Sequence, residues 1–319
     1  MLNRTLAGIV AILLGGMVAA SAHADDPVTV RLKWFNQAQF AGFYVAQDKG
    51  YYKAAGLDVN IQPGGPDFPA VQMVAGGNEQ FGVTAAEDIL IARSKGVPVV
   101  ALGVTYRRDP FVLFSLAKSG IKTPADFAGK KIGFKIGGNE ELIYRAVMAK
   151  AGVDTSKFEE VPVKFDIAPL LTGAVDVWPG YTINEVLTAS EQGFPVSIIY
   201  PADYGIDLYA DTLFTTETMV KDHPDTVKKF VEATMHGWSD AIADPEAAAK
   251  TTLNYGDGLK YDHELAMMKA SIPFLQPDPS PVGYMDAAKW SDMQKLLLDS
   301  GFQKMPVDVS QAFTTQFLK

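Results

Sequence analysis

The order of apolar and polar positions predicts alternating strands and helices along most of the chain. Val28–Trp34 alternates with the period of a half-buried strand, whereas Ala41–Lys49 has apolar residues at helical spacing and is followed by Gly50. Val97–Val104 is a continuous apolar run of the kind that forms a buried strand. Because strand and helix alternate with short connections, the pattern predicts an α/β fold with a largely parallel sheet.

A second series of the same kind begins near Ile121. Gly129–Phe134 is predicted as a turn and a strand, Asn139 as the cap of a helix that runs to Ala151, and Val175–Trp178 as another strand. The apolar spacing then becomes helical almost throughout, in Pro224–Ala243, Pro245–Tyr255, Asp262–Ala270 and Met285–Ser300. Two such series in a chain of 319 residues predict two lobes.

The first residues have the composition of a secretory signal peptide. Arg4 supplies a positive charge, Leu6–Ala20 consists only of small or apolar residues, and Ala22–Ala24 has the small-x-small pattern of a cleavage site. A membrane anchor is the alternative, but the apolar run is shorter than the roughly 18 residues of a spanning helix and acidic residues follow it. We therefore expect cleavage after Ala24 and export into the periplasm.

Composition narrows the class of protein further. The chain has no cysteine, which excludes disulfides, thiolate metal sites, cysteine nucleophiles and lipid attachment at a cysteine. A soluble periplasmic protein is therefore favoured over a lipoprotein. The formal net charge of -9 at pH 7 argues against nucleic acid or an anionic membrane as a partner.

Several stretches resemble one family of binding proteins. They are Lys33–Ala46, Lys49–Tyr52, Gly56–Val59, Gly129–Gly133, Gly173–Asp176 and Tyr181–Glu185. In them the chain resembles the substrate-binding components of ABC importers, and in particular the branch of thiamine-pyrimidine precursor binding proteins and the thiamine pyrimidine synthase. Alkanesulfonate, taurine and nitrate binding proteins are more distant members. The resemblance covers nearly all of the chain after the signal peptide.

The resemblance implies a two-lobed periplasmic-binding-protein fold of type II with two hinge crossovers. We place the crossovers near Phe111–Ala117 and Asp207–Thr215. The expected divisions are the signal peptide at 1–24, the first lobe at 25–110, the second lobe at 111–215, and a helical return to the first lobe at 216–319.

The resemblance also implies how such a protein works. A ligand would bind in the cleft, where strands end and helices begin, and hinge closure would trap it. An ABC permease and its ATPase in the inner membrane would be the partners, and a monomer is the family expectation.

The first predicted strand ends at residues suited to a flat ring. Trp34 can stack on a heterocycle, and Asn36 can donate and accept hydrogen bonds along its edge. Alternatively, Trp34 covers the core. Gln39 and Phe40 follow on the same loop, and Phe40 stands where thiamine-pyrimidine binders commonly have a histidine.

Three further polar residues of the first lobe are candidate ligand contacts. Thr84 and Asp88 follow the third predicted strand, and Asp67 precedes a predicted helix. An acid in a first helical turn often only complements the helix dipole, and Asp67 could act as an N-cap.

In the second lobe, Gly137, Gly138 and Asn139 form one strand-to-helix junction. Glycines let a ligand approach the backbone, and the free amides at a helix start favour an anion. Glycines before helices also commonly form nothing more than a turn.

A second junction in this lobe is richer in polar chemistry. Tyr181, Asn184 and Glu185 combine a ring with an amide and a carboxylate, which can bind ring nitrogens and exocyclic amines. Alternatively, Asn184 caps the helix and Glu185 complements its dipole. Asp207, at the second crossover, is a candidate for the edge of the cleft.

Thiamine pyrimidine synthase is the enzymatic alternative. It carries a lysine that holds pyridoxal phosphate, a histidine four residues later and a cysteine-rich run. These positions match Thr84, Asp88 and Gly205–Thr215, so the amine, the imidazole and the thiols are all missing. We therefore expect no cofactor and no catalysis. The ligand-binding module of a signalling receptor is a third class that the same fold would serve.

The candidate residues favour a small flat N-heterocycle as ligand, with a thiamine-type pyrimidine precursor first and a riboflavin-like ring second. The reason is Trp34 in one lobe facing Tyr181 and Glu185 in the other. A sulfonate, taurine or nitrate ranks lower because the predicted cleft segments contain no arginine. Arg107–Arg108 near the first crossover keeps that alternative open.

Overall fold

The computed structural model describes residues 26–318, which form two lobes with a five-stranded sheet in each. The predicted signal peptide and its cleavage point lie outside the described residues. The strands are β1 (Asp26–Arg31), β2 (Leu57–Gln62), β3 (Phe81–Ala85), β4 (Val99–Val104), β5 (Phe111–Leu116), β6 (Lys131–Phe134), β7 (Glu159–Pro162), β8 (Val177–Tyr181), β9 (Val196–Ile199) and β10 (Asp211–Thr216).

The two sheets have the same topology. The first has the order β2-β1-β3-β10-β4 and the second the order β7-β6-β8-β5-β9. In each, three neighbouring strands are parallel, while one strand, β10 or β5, is antiparallel to both its neighbours. The antiparallel strand is in each case the first strand after the chain enters that lobe from the other. The sheets are therefore mixed rather than simply parallel.

Each crossover lies earlier in the chain than the sequence predicted, just before the antiparallel strand. The chain passes from β4 to β5 through residues 105–110, and from β9 to β10 through residues 200–210. The predicted crossover Phe111–Ala117 is largely β5, and most of Asp207–Thr215 is β10, which belongs to the first sheet. Both strands are buried along almost their whole length, so they pair inside a sheet, and the connection is left to the segments before them.

Helices cover both sheets. They are α1 (Ala41–Asp48), α2 (Tyr51–Ala54), α3 (Ala70–Ala75), α4 (Ala86–Ser94), α5 (Gly138–Lys150), α6 (Ala168–Leu171), α7 (Glu185–Glu191), α8 (Glu217–Asp222), α9 (Pro224–Ala243), α10 (Pro245–Thr252), α11 (Tyr261–Leu275) and α12 (Ala287–Asp299). The four helices predicted after residue 218 correspond to α9 through α12, with ends shifted by up to five residues.

The helical tail packs on the first lobe because small residues let two helices approach closely. Helix α9 lies against α1, and Gly42 of α1 faces the indole of Trp238 in α9. Gly237 in turn lies beneath the carbonyl of Gly42. A Cβ at either glycine would overlap the facing helix, so this crossing requires both glycines. It fixes the C-terminal helices to the lobe that carries β1.

Candidate functional site

A cavity of about 640 Å³ lies between the lobes. It is bordered by the segments that follow β1, β3, β6 and β8, where strands give way to helices. This is the crevice at strand ends in which open α/β sheets bind ligands. Ten of the predicted site residues line it: Trp34, Gln39, Thr84 and Asp88 from the first lobe, and Gly137, Gly138, Asn139, Tyr181, Asn184 and Glu185 from the second.

Two of the predicted residues after β1 point away from the cavity. The Asn36 amide donates to the Tyr255 carbonyl oxygen at 2.6 Å and accepts from the Tyr44 hydroxyl at 2.9 Å, so it ties the loop to the helical tail. Phe40 is fully buried in the first-lobe core. The loop makes a short 3-10 turn there, which directs the phenyl ring inward.

Two predicted acids also lie away from the cavity. Asp67 is exposed, and the N-cap of α3 is Pro69, so Asp67 neither caps that helix nor borders the cavity. Asp207, in the second crossover, forms an ion pair with Lys289 at 2.7 Å. Asp207 is not among the residues that line the cavity.

Aromatic rings from both lobes meet at one side of the cavity. The ring centroids of Trp34 and Phe165 are 4.6 Å apart, with an interplanar angle of 66°. The ring centroid of Phe35 is 5.1 Å from that of Trp34. Trp34 also packs partly against the hydrophobic core, as its alternative role requires, and it borders the cavity. Phe165 was not a candidate because it lies in a loop after β7, where no pattern marks it.

The glycine junction of the second lobe is already occupied by an acid of its own helix. Gly137 and Gly138 have φ of 81° and 68°, values that favour glycine. The Gly137 amide donates to a Glu141 carboxylate oxygen at 2.7 Å. Asn139 was predicted to cap this helix, but the N-cap is Gly137 and Asn139 lies inside α5. The helix start is thus less available to an anionic ligand than its glycines suggested.

Next to these glycines lies a buried lysine held by two acids. The Lys135 ammonium is 2.9 Å from Glu140 and 3.5 Å from Glu185. Burial alone lowers the pKa of Lys135, but the two carboxylates raise it above the ordinary lysine value. Burial raises the pKa of Glu140 despite the adjacent Lys135. Two carboxylates facing one ammonium give this side of the cavity an excess of acceptor oxygens.

In the junction after β8, Glu185 binds the local backbone and also borders the cavity. One Glu185 oxygen accepts from the Tyr181 amide at 2.9 Å. Asn184 precedes α7, yet its side chain makes no capping hydrogen bond, so the capping alternative does not hold for its amide. Across the cavity, the Thr84 hydroxyl donates to Asp88 at 2.7 Å. Amide and carboxylate groups thus border the cavity on both sides.

A largely buried polar cluster that the sequence did not predict also borders the cavity. Lys33 Nζ donates to the Tyr181 hydroxyl at 2.9 Å and lies 3.4 Å from Asp211. Burial lowers the pKa of Lys33, but Tyr181, Asp211 and Asp109 outweigh it and raise that pKa well above its usual value. Burial raises the pKa of Asp109 to about 6. The signal that could have indicated Lys33 is a lysine that follows the buried end of β1.

A larger depression, of about 1190 Å³, lies on the first lobe alone. It is bordered by α9 and the chain end, with Tyr51, His236 and Phe317 among its residues. The interlobe cavity is the better candidate site, because polar and aromatic side chains of two separate sheets converge there.

Comparison with known proteins places this architecture in a family. A family model described as NMT1/THI5 like matches residues 37–248, which is more than half of the chain. The riboflavin-binding protein RibY of Chloroflexus aurantiacus is 28% identical over 307 residues, covering 91% of this chain and 86% of the relative. A formylaminopyrimidine-binding protein of Halalkalibacterium halodurans is 27% identical, covering 93% and 92%.

An enzyme and a solved transport protein are also similar. The 4-amino-5-hydroxymethyl-2-methylpyrimidine phosphate synthase of Legionella pneumophila is 24% identical, covering 94% of each chain. The periplasmic aliphatic sulphonate binding protein SsuA of Escherichia coli has a TM-score of 0.70 at 15% identity, covering 91% of this chain and 92% of that one. This structural likeness confirms the predicted two-lobed binding-protein fold. The chain belongs to the NMT1/THI5-like family.

Proposed function

We propose that this protein is the periplasmic solute-binding component of an ABC importer and that it captures a small flat N-heterocycle. The observation that carries the proposal is the cavity between the lobes, with the Trp34–Phe165 aromatic pair on one side and amide and carboxylate groups around it. An aromatic surface stacks on a flat ring, and the polar groups bind its edge. The names of the riboflavin-binding and formylaminopyrimidine-binding relatives support the same ligand class.

The charges of the cavity favour a ligand that donates hydrogen bonds. Of the described residues that line it, none is an arginine, and Lys33 and Lys135 are both engaged by carboxylates. Arg107, which kept a sulfonate or nitrate ligand open, binds Asp278 through both of its terminal nitrogens at 2.8 Å. A thiamine-type pyrimidine precursor or a riboflavin-like ring fits this environment better than a sulfonate, taurine or nitrate.

Calorimetry on the chain that begins at Asp25 tests the ligand class. The panel contains 4-amino-5-hydroxymethyl-2-methylpyrimidine, formylaminopyrimidine, riboflavin, taurine, an alkanesulfonate and nitrate. We expect saturable binding of at least one heterocycle and none of the anions. Tight binding of a sulfonate with no response to any heterocycle would refute the proposed ligand class and favour the sulfonate alternative.

A non-catalytic role is the second part of the proposal. Thr84 and Asp88, which match the cofactor lysine and the histidine of the synthase, bond to each other. The pKa of Lys33 and that of Lys135 are raised by neighbouring acids, so both amines are protonated and are poor nucleophiles. Incubation with pyridoxal phosphate followed by borohydride should therefore leave both cavity lysines unmodified in a peptide map, whereas a pyridoxyl group on either would support the enzymatic alternative.

Export and delivery to a permease complete the proposal. Within residues 26–318, none of the helices combines the length and the apolar character needed to cross a bilayer. The proposed signal peptide, cleaved after Ala24, would deliver a monomer to the periplasm, where an inner-membrane permease and its ATPase receive the ligand. Cell fractionation with N-terminal sequencing of the exported chain tests the location and the cleavage point together.

A further inference from the structure

One lysine links the two lobes inside the cleft. Lys33 follows β1 of the first lobe, and its ammonium donates to the hydroxyl of Tyr181, the last residue of β8 in the second lobe, at 2.9 Å. The same ammonium lies 3.4 Å from a carboxylate oxygen of Asp211 in the first lobe. Only 17% of the Lys33 side chain is exposed to solvent. This cation therefore touches both lobes without leaving the cleft.

The partners of Lys33 belong to the hinge. Asp211 is the first residue of β10, directly after the second crossover, and its carbonyl oxygen accepts from the amides of Thr105 and Tyr106 at 2.8 and 3.2 Å in the first crossover. Asp109, which lies in the first crossover, adds a further negative charge near Lys33. Asp109 of the first crossover and Asp211, directly after the second, thus both lie near the ammonium.

The two contacts of Lys33 respond differently to opening of the lobes. Asp211 is in the same lobe as Lys33, so that pair persists in an open form. The Tyr181 hydroxyl moves with the second lobe, so its hydrogen bond to Lys33 exists only when the lobes are closed. A charge-assisted hydrogen bond in a poorly hydrated site is stronger than a neutral one.

We propose that Lys33 is a positioning residue that latches the closed form of the protein by binding the Tyr181 hydroxyl of the opposite lobe while Asp211 holds it beside the hinge. The latch rests on the proposed two-lobed clamp but not on the identity of the ligand. Closing the lobes also brings Trp34 against Phe165, so the latch holds the two sides of the ligand site together.

The absence of cysteine permits a test that needs no ligand. Between the lobes, an oxygen of Glu191 in the second lobe lies 3.0 Å from Nδ1 of His263 in the first. Glu191→Cys with His263→Cys gives a pair whose cross-linking rate by a short bis-maleimide reports the closed population. The pair is introduced into the otherwise natural chain and into Lys33→Met, Lys33→Arg and Tyr181→Phe. Lys49→Met is the matched control, because Lys49 pairs with Asp240 at 2.7 Å within the first lobe.

We expect Lys33→Met to slow cross-linking by about tenfold, the size of one lost charge-assisted hydrogen bond. Tyr181→Phe should slow it in the same direction, Lys33→Arg should restore much of the rate, and Lys49→Met should leave it unchanged. Wild-type cross-linking in Lys33→Met would overturn the latch. If Lys33→Met lacks the native circular dichroism spectrum, Tyr181→Phe decides alone, and its wild-type rate would overturn the latch. A slow rate together with silent calorimetry would refute the ligand class only.

Discussion

The indole of Trp34 and the phenyl ring of Phe165 meet edge to face across the cleft, 4.6 Å apart. They lie in loops of different lobes, one after β1 and one after β7, and their sequence positions are more than a hundred residues apart. An edge-to-face pair leaves part of each ring surface free of the other ring. A flat ligand could therefore pack against Trp34 while Phe165 closes over it, which makes this pair the natural place to test the proposed function.

Trp34→Ala should weaken binding of the heterocycle identified by calorimetry by about 1–3 kcal/mol, because stacking and buried apolar area are lost. Trp34→Phe is the matched control and should retain most of the affinity, since it keeps an aromatic face. The measurement is calorimetry at one temperature for all three proteins. Unchanged affinity in Trp34→Ala, with a native circular dichroism spectrum, would assign Trp34 to the core alone.

The fold was largely predictable because local pattern determines most of it. Alternation in Val28–Trp34 and helical spacing in Pro224–Ala243 correspond to β1 and α9 in the structure. The crossovers were misplaced because a buried run such as Phe111–Leu116 looks the same whichever sheet it joins. Which sheet accepts a strand depends on contacts far along the chain, and no local pattern records them.

The close contact between α1 and α9 predicts a stability defect. An alanine Cβ at position 42 would lie 2.2 Å from a ring carbon of Trp238, so Gly42→Ala forces the two helices apart. We expect a loss of about 1–3 kcal/mol in the free energy of unfolding from overpacking, despite the better helix propensity of alanine. Urea unfolding measures it.

Two controls accompany Gly42→Ala. Ser239→Ala, on the exposed side of α9, should change the free energy of unfolding little. Combining Gly42→Ala with Trp238→Phe should cost less than the sum of the single changes, because the smaller ring relieves the overlap. Strict additivity would mean that the ring of Trp238 is not what excludes a side chain at position 42.

The site was predictable in position but not in detail. Strand-to-helix junctions indicated Thr84, Tyr181 and Glu185, and these residues border the cavity. Asn36 turned away because Tyr255, more than two hundred residues later, binds its amide. Phe165 and Lys33 were missed for the same reason. Each contacts a residue of the opposite lobe, and no local sequence pattern records such a contact.

Glu87, in the first turn of α4, has no exposed surface, and neither of its carboxylate oxygens has a hydrogen-bond partner among the described residues. Burial, with the nearby Asp88 and Asp109, raises the pKa of Glu87 well above its usual value, so this carboxyl stays protonated to higher pH in the folded protein than in the unfolded chain. The unfolded chain ionises it near the ordinary glutamate pKa. Folding stability from this group is therefore present at acidic pH and is lost as pH rises toward the folded pKa.

Glu87→Gln should remove that loss, because the amide resembles the protonated acid and does not ionise. Relative to the natural chain, the variant should gain stability between pH 5 and pH 8, by up to about 1.4 kcal/mol for each pH unit. Urea unfolding at both pH values measures the difference. Glu79→Gln is the contrasting control, because Glu79 accepts from Arg31 Nε at 3.0 Å. Its loss leaves a buried cation unpaired, so that variant should be destabilised by about 3–5 kcal/mol at pH 7. A Glu87→Gln effect that is the same at pH 5 and pH 8 would mean that the Glu87 carboxyl is ionised in the folded protein.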